Sequence, residues 1–232
     1  MSRTRLVFSG GLLVFAIIFT FNHHLGFSVG DSLLLSIGIS PYTKSYVSGV
    51  HITIFFGLGM LACGYYLARK EIMLRYPLVA RTLWIAVVIV VSSYSFMTDK
   101  LMYVVKWGAT GLNGISYTQN NSSCTYHVHP NGRVHATCEL TLKNYSSSSI
   151  AAMVKPDLAG SYRHDDDALS ESLHSVALSA VPVKLEPRMT FTGTLEFSGL
   201  AKRPLEVSGK LDEIVLDVAV DGSNTVFDYD IP

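Results

Sequence analysis

The stretch from Cys124 to Cys138 constrains this chain more tightly than any other. It reads Cys-Thr-Tyr-His-Val-His-Pro-Asn-Gly-Arg-Val-His-Ala-Thr-Cys. Set the two cysteines opposite each other and count inward. Thr125 then faces Thr137, Tyr126 faces Ala136, His127 faces His135, Val128 faces Val134 and His129 faces Arg133. Pro130, Asn131 and Gly132 remain as a three-residue loop, the length that combines a type I turn with one left-handed residue. Proline pre-sets φ at the first turn position, and glycine adopts the left-handed one without strain. Strand side chains alternate, so Cys124, Tyr126, Val128, Val134, Ala136 and Cys138 share an apolar face. Thr125, His127, His129, Arg133, His135 and Thr137 share a polar one. A two-residue Asn-Gly loop would slip the register and destroy that segregation. The spacing predicts a β-hairpin closed by a Cys124–Cys138 disulfide, with Leu140 and Leu142 extending its apolar face.

Disulfides persist in oxidising compartments, which places the second half of the chain outside the cytoplasm. The third cysteine, Cys63, lies in an apolar stretch and reads as a small packing residue. With 18 basic and 18 acidic residues and only 16% charged residues overall, the chain has no basic patch for nucleic acid. Its mean hydropathy of +0.32 suits a protein that is partly membrane.

Three apolar runs precede the hairpin and predict a membrane domain over 1–106 with transmembrane helices at about 6–22, 47–68 and 82–98. The first run follows Arg3 and Arg5 but ends in Thr-Phe-Asn-His-His, with no small-x-small cleavage site. It reads as a retained signal-anchor. Arg69, Lys70, Arg75 and Arg81 lie between the second and third runs, whereas the loop after the first run has only Lys44. By the positive-inside rule the N-terminus is cytoplasmic and the C-terminal domain extracytoplasmic. Residues 23–46 read as an outer-face loop with a short interfacial or re-entrant helix, capped by Gly30 or Asp31 and ended before Pro41. Gly57, Gly59, Cys63 and Gly64 read as a small-residue stripe for close helix packing. His23, His24 and His51 have no helical spacing that would build a heme or ion site.

From 108 to 232 the texture changes to short alternating strands. They are expected at 115–119, in the hairpin, at 150–154, at 176–185 broken by Pro182, at 189–197, at 205–207, at 214–220 and at 225–231. A polar loop covers 156–173. This pattern predicts an all-β domain, sandwich or immunoglobulin-like, although the disulfide spans one hairpin and no core tryptophan lies between its cysteines. The core is expected to rest on Met189, Phe191, Leu195 and Phe197.

No catalytic motif is present, and the chain reads as non-enzymatic. His127, His129 and His135 on one hairpin face are the candidate ligands for zinc or copper, with no fourth ligand evident and Arg133 beside them. Asp165, Asp166 and Asp167, with His164 and Glu171 nearby, lack the spacing of a calcium loop. Asn120, Asn121 and Asn144 head formal glycosylation triplets. The expected function is display of the extracytoplasmic sandwich to a protein or envelope partner, with the bilayer itself as the other partner. The alternatives are an accessory subunit of a membrane transport or secretion complex, and metal binding or sensing through the three histidines.

Overall fold

The structure is a computed structural model that describes residues 3–43, 49–119, 122–162, 167–202 and 206–228. It forms two compact units, one built on Met1–Leu101 and the other on Met102–Asp230.

The first unit is helical: α1 (Arg3–Thr20), α2 (Val29–Ser36), α3 (Ile52–Met73) and most of α4 (Pro77–Val105). Two of these, α3 and α4, are long and apolar enough to cross a membrane, rather than the three expected. The apolar part of α1 stops at Thr20, whose hydroxyl turns back to the Ala16 carbonyl, and the chain leaves the helix instead of continuing to residue 22. Pro77 opens α4 at the first helical position, where its missing N–H costs nothing. Of the 29 residues of α4, Ala80 is the one buried, so the helix is apolar and uncovered nearly all round.

Small residues set the contact between α1 and α3. Ser9, Leu13, Ala16 and Thr20 are buried on α1, and Thr53, Gly57, Gly64 and Ala68 on α3. A Cβ on Gly57 would collide with Thr20, and one on Gly64 would sit 3.0 Å from the Leu13 backbone. The expected four-residue stripe therefore splits. Gly57 and Gly64 are two turns apart on one face, whereas Gly59 lies about 200° round the helix from Gly57. Gly59 meets nothing within 4 Å, and Cys63 is exposed.

The second unit contains two antiparallel sheets. Sheet one holds β1 (Ile115–Tyr117), β2 (Ser123–Val128), β3 (Arg133–Asn144), β5 (Val176–Leu178), β7 (Thr190–Ala201) and β8 (Val207–Asp212), in the order β5-β7-β3-β2-β8, with β1 also on β3. Sheet two holds β4 (Ile150–Asp157), β6 (Val181–Leu185), β9 (Val215–Val220) and β10 (Ser223–Phe227), in the order β10-β9-β4-β6. Cys124 and Cys138 are disulfide-bonded, and the β2–β3 register pairs His127 with His135 and Val128 with Val134, as the alternation requires. Gly132 takes the left-handed turn position at φ 82°. The inward side chains of β2 and β3 are all buried and meet Val154, Leu185, Leu216, Val218 and Val220 of sheet two.

Other expectations shift. Met189 is exposed, because it sits in the turn after left-handed Arg188 and β7 begins at Thr190. Phe197 is buried, and Phe191 and Leu195 are half-buried against the core. Residues 176–185 form two strands that enter different sheets, and Pro182 sits in β6, an edge strand with no second neighbour to serve. The supposed loop 156–173 contains the end of β4 and two short helices, α5 (Leu158–Ser161) and α6 (Asp167–His174). Buried Leu158 and Leu173 pin them to the core. The third strand from the C-terminus is longer than expected, running to Asp212, while Leu205 lies outside the described residues.

Two buried polar links join the sheets. The Tyr117 hydroxyl donates to the Ile214 carbonyl at 2.8 Å, and burial raises its phenol pKa. The Asn144 amide donates to the carbonyls of Ser148 and Leu185. Asn144 is fully buried, which removes it as a glycosylation acceptor; Asn120 and Asn121 lie outside the described residues.

Replacing both Cys124 and Cys138 by Ala is expected to lower unfolding stability by about 3 kcal/mol, the value for a loop of this length, read by denaturant titration of the full chain in detergent. Gly57→Leu is expected to cost about 1–3 kcal/mol by overpacking against Thr20, whereas Gly59→Leu leaves the thermal midpoint of the same preparation unchanged or higher.

Candidate functional site

Two places gather chemically active side chains. The first is the outer face of sheet one. Strand pairing across β8, β2, β3 and β7 lays out one row as Ser208, His127, His135 and Ser198. The next row is Lys210, Thr125, Thr137 and Glu196, and the one after is Asp212, Ser123, Glu139 and Thr194. These side chains point away from the core, as the burial alternation of β2, β3 and β7 requires. The histidines gather at one end. The rings of His127 and His129 meet edge to face at 4.2 Å, and those of His129 and His135 at 5.8 Å. His127 Nδ1 is hydrogen-bonded to the Ser208 hydroxyl, and exposed Arg133 and Leu200 close the end of the face. The hairpin thus brings together the three residues read as metal ligands. Among the described residues, however, no group of three or more His, Cys, Asp or Glu side chains is placed to hold a metal ion. Of the acidic run, Asp165 and Asp166 lie with His164 outside the described residues, and Asp167 opens α6.

The second place was not legible as a unit. Asp31 is 4% exposed, yet carries a carboxylate. Its Oδ1 accepts from the Thr53 hydroxyl at 2.7 Å and meets His51 Nε2 at 2.6 Å, and its Oδ2 accepts from the Ser28 N–H at 2.9 Å. Ser28, rather than Gly30 or Asp31, is the N-cap of α2, and it forms a capping box with Asp31 at the third helical position. His51 is the N-cap residue of α3. The carboxylate therefore lies where two helix N-termini converge, and both macrodipoles favour its charge. Tyr42 stacks on the His51 ring at 4.4 Å. Burial pushes the Asp31 pKa upward, but the hydrogen bonds from Thr53, His51 and Ser28 outweigh it, and the net shift is downward. Nearby, His23 is pushed down to about 4, first by burial and then by His24, with Asp31 opposing. Its Nδ1 also accepts the Leu25 N–H, a bond that protonation there would break. The pairing spans twenty residues, so no local spacing announces it. The usable signal was an aspartate in an apolar segment, three residues after a serine, which needs a partner when buried.

No protein-family model, curated protein or solved structure matches this chain.

Both His23 and Asp31 have lowered pKa values in the fold, so the unfolded chain binds more protons and stability falls on acidification. The loss from His23 develops as pH falls from 6.5 to about 4. That from Asp31 follows below the ordinary carboxylate value as pH falls through its lowered one. Thermal midpoints of the full chain in detergent are expected to drop across both windows, with His23→Gln flattening the upper one. Asp31→Asn cannot satisfy all three donors and is expected to cost about 1–3 kcal/mol at neutral pH, with loss of amide-exchange protection in α2.

Proposed function

We propose that this chain is a membrane-anchored, non-enzymatic protein that displays its β-sandwich on the extracytoplasmic side, where the polar outer face of sheet one binds a protein or envelope component. The observation that carries this reading is α4: a 29-residue helix with one buried residue, leading into a disulfide-closed domain. A helix that is apolar all round needs lipid or a partner around it. In this reading α1 also crosses, short but paired to α3 through Gly57 and Gly64, so the anchor has three spans. The cytoplasmic side is the one bearing Arg5, Arg69, Lys70, Arg75 and Arg81. The Asp31 cluster then lies at the outer end. The sandwich interior is a continuous apolar cluster, and the outer rows of Ser, Thr, His, Lys and Glu offer hydrogen-bonding groups that suit recognition.

A second reading, an accessory subunit of a larger membrane complex, is favoured by one observation. The α3 face carrying Gly59 and Cys63 is open, and Phe55, Phe56 and Tyr66 are exposed on the same helix.

Topology and binding are tested together. In a Cys63→Ala background, Arg75→Cys is expected to resist a membrane-impermeant maleimide in intact cells. A photo-crosslinking residue at Thr137 is expected to give a discrete adduct in native membranes, and the same residue at exposed Lys184 none. Labelling of Arg75→Cys from outside would reverse the orientation. Equal adducts at both sites would remove the outer face of sheet one as the binding surface. A native gel on which Gly59→Leu shrinks the particle would favour the subunit reading.

A further inference from the structure

Where α4 ends, cations and aromatic rings of the second unit gather in one cluster. Tyr103 lies in the last turn of α4, and Lys106 and Trp107 follow it. Lys143 near the end of β3, Tyr145 just after it and Arg188 in the turn between β6 and β7 complete the group. The Lys143 ammonium lies 5.1 Å from the ring centres of both Tyr103 and Tyr145, and that of Lys106 lies 5.7 Å from the Tyr145 ring centre. The Arg188 guanidinium lies over the Trp107 ring at 4.2 Å. Arg188 is left-handed, at φ 56°, a backbone that costs a non-glycine residue free energy. The turn is nonetheless fixed. The Arg188 N–H donates to the Ser146 carbonyl, the Asn144 N–H to the Met189 carbonyl and the Tyr103 hydroxyl to the Arg188 carbonyl. A strained turn thus holds an arginine against an exposed tryptophan, with exposed Met189 beside it. Lys106 donates to the Ile115 carbonyl and the Ser116 hydroxyl, both neutral. Among the described residues neither Lys106 nor Arg188 has a carboxylate partner, and Glu186, the acidic residue nearest Arg188 in the chain, is held by Lys184 at 2.8 Å. Contact with a ring face orients a cation without neutralising it, so the cluster presents net positive charge.

The place of the cluster on α4 says what the anion is. From Thr82 to Thr98 the helix carries no charged side chain, and Asp99 and Lys100 follow. At about 1.5 Å of rise per residue, Tyr103 lies about 7 Å beyond Thr98, and the polar layer on each side of a bilayer is of similar depth. Exposed Val104, Val105 and Trp107 continue the apolar surface of α4 into the cluster. We propose that this face of the second unit binds anionic phospholipids of the extracytoplasmic leaflet. Lys106, Lys143 and Arg188 meet the head-group phosphates, the arginine fork matching two oxygens, while Trp107 and Met189 reach the top of the acyl chains. The sandwich is thereby held to the bilayer at the end of β3 that bears Lys143 and Asn144. The proposal rests on the membrane reading above, which makes α4 a span.

The test uses the full chain in a Cys63→Ala background, with Met189→Cys carrying a fluorophore and the Cys124–Cys138 disulfide intact, reconstituted into phosphatidylcholine vesicles. Phosphatidylglycerol or phosphatidylcholine, each spin-labelled near the top of one acyl chain, is added as quencher. The labelled phosphatidylglycerol is expected to half-quench the fluorophore at a mole fraction about fivefold or more below that of the labelled phosphatidylcholine, the effect of at least one interfacial cation. A fluorophore on Asn131→Cys, in the hairpin turn roughly 36 Å away along β3, should show no such preference. Lys143→Gln/Arg188→Gln should remove the preference at the Met189 site, and Arg188→Lys alone, which keeps the charge, should retain it. Equal quenching by the two lipids, an unchanged preference in the double variant, loss of the preference in Arg188→Lys, or the same preference at the Asn131 site each overturns the proposal. A fluorophore that neither lipid quenches also overturns it, and assigns this face to a protein partner or a second copy of the chain. Alkaline carbonate treatment of native membranes separates this proposal from the one it rests on. Release of the wild-type chain overturns the anchoring and this surface with it; retention without lipid preference overturns the surface alone.

Discussion

Strand β3 is the element on which the second unit depends. It is twelve residues long, and every second side chain from Val134 to Leu142 is buried. A strand buried on one face still exposes two rows of backbone donors and acceptors at its edges, and buried groups of that kind must be paired. β7 pairs one edge through eleven residues, from Arg133 to Lys143. The other edge is too long for β2 alone, which covers Val134 to Glu139, so β1 takes over at Leu142 to Asn144. The break between β1 and β2 is itself made useful. Gln119 and Ser122 in that break hydrogen-bond Glu213 and Ile214, fixing the corner where the chain passes from sheet one to sheet two. The disulfide sits in the middle of β3, in the same inner face as the apolar side chains. It holds β2 to β3 where both are covered, and the sheets are left to be joined by apolar contact, Tyr117 and Asn144.

That division of labour explains which parts of the fold were legible. The hairpin register followed from three local signals that agree: cysteine spacing, loop chemistry and alternation. The exposure of Met189 did not follow. Alternation is blind to where a strand begins, and left-handed Arg188 moved the start to Thr190. The polar segment after β4 hid two helices because their anchors are two leucines, Leu158 and Leu173, fifteen positions apart in a run dominated by serine and aspartate. Asp167–His174 does carry a helical period, but over eight residues, a run too short for periodicity alone to separate a helix from a polar loop. The split of the glycine stripe was available in principle, since angle per residue alone separates Gly59 from Gly57. Counting small residues without their angles obscured it. The histidine face was read correctly as a place, because it depends only on the register. What it can hold depends on ring orientation, which the register does not fix.

The Asp31 cluster shows how a charge is tolerated when it is buried in a helical unit. Removing a carboxylate from solvent is unfavourable, and the offset must come from several directions at once. Here Ser28, Thr53 and His51 supply donors, while the N-termini of α2 and α3 supply the favourable end of their dipoles. Because the donors come from both helices, the carboxylate also fixes α2 against the start of α3. Gly30 makes the approach possible, since a Cβ there would meet Phe19 and Thr53. A buried polar group of this kind contributes more to defining one arrangement than to net stability. A short helix of eight residues needs such definition, since its own propensity cannot hold it in place.

The two ends of the α1–α3 pair differ for a reason rooted in their packing. Gly57 and Gly64 let α3 approach α1 closely, Gly57 at Thr20 and Gly64 at the Leu13 backbone. At one end the polar groups are met inside the protein: Asp31 accepts from Ser28, Thr53 and His51, and His51 stacks on Tyr42. At the other, Arg5, Lys70 and Glu71 surround a space that the protein does not fill, with Phe8 and Leu67 opening it along the helices. The protein completes the Asp31 end with its own residues, whereas at the Arg5 end a space stays open between the side chains of α1 and α3.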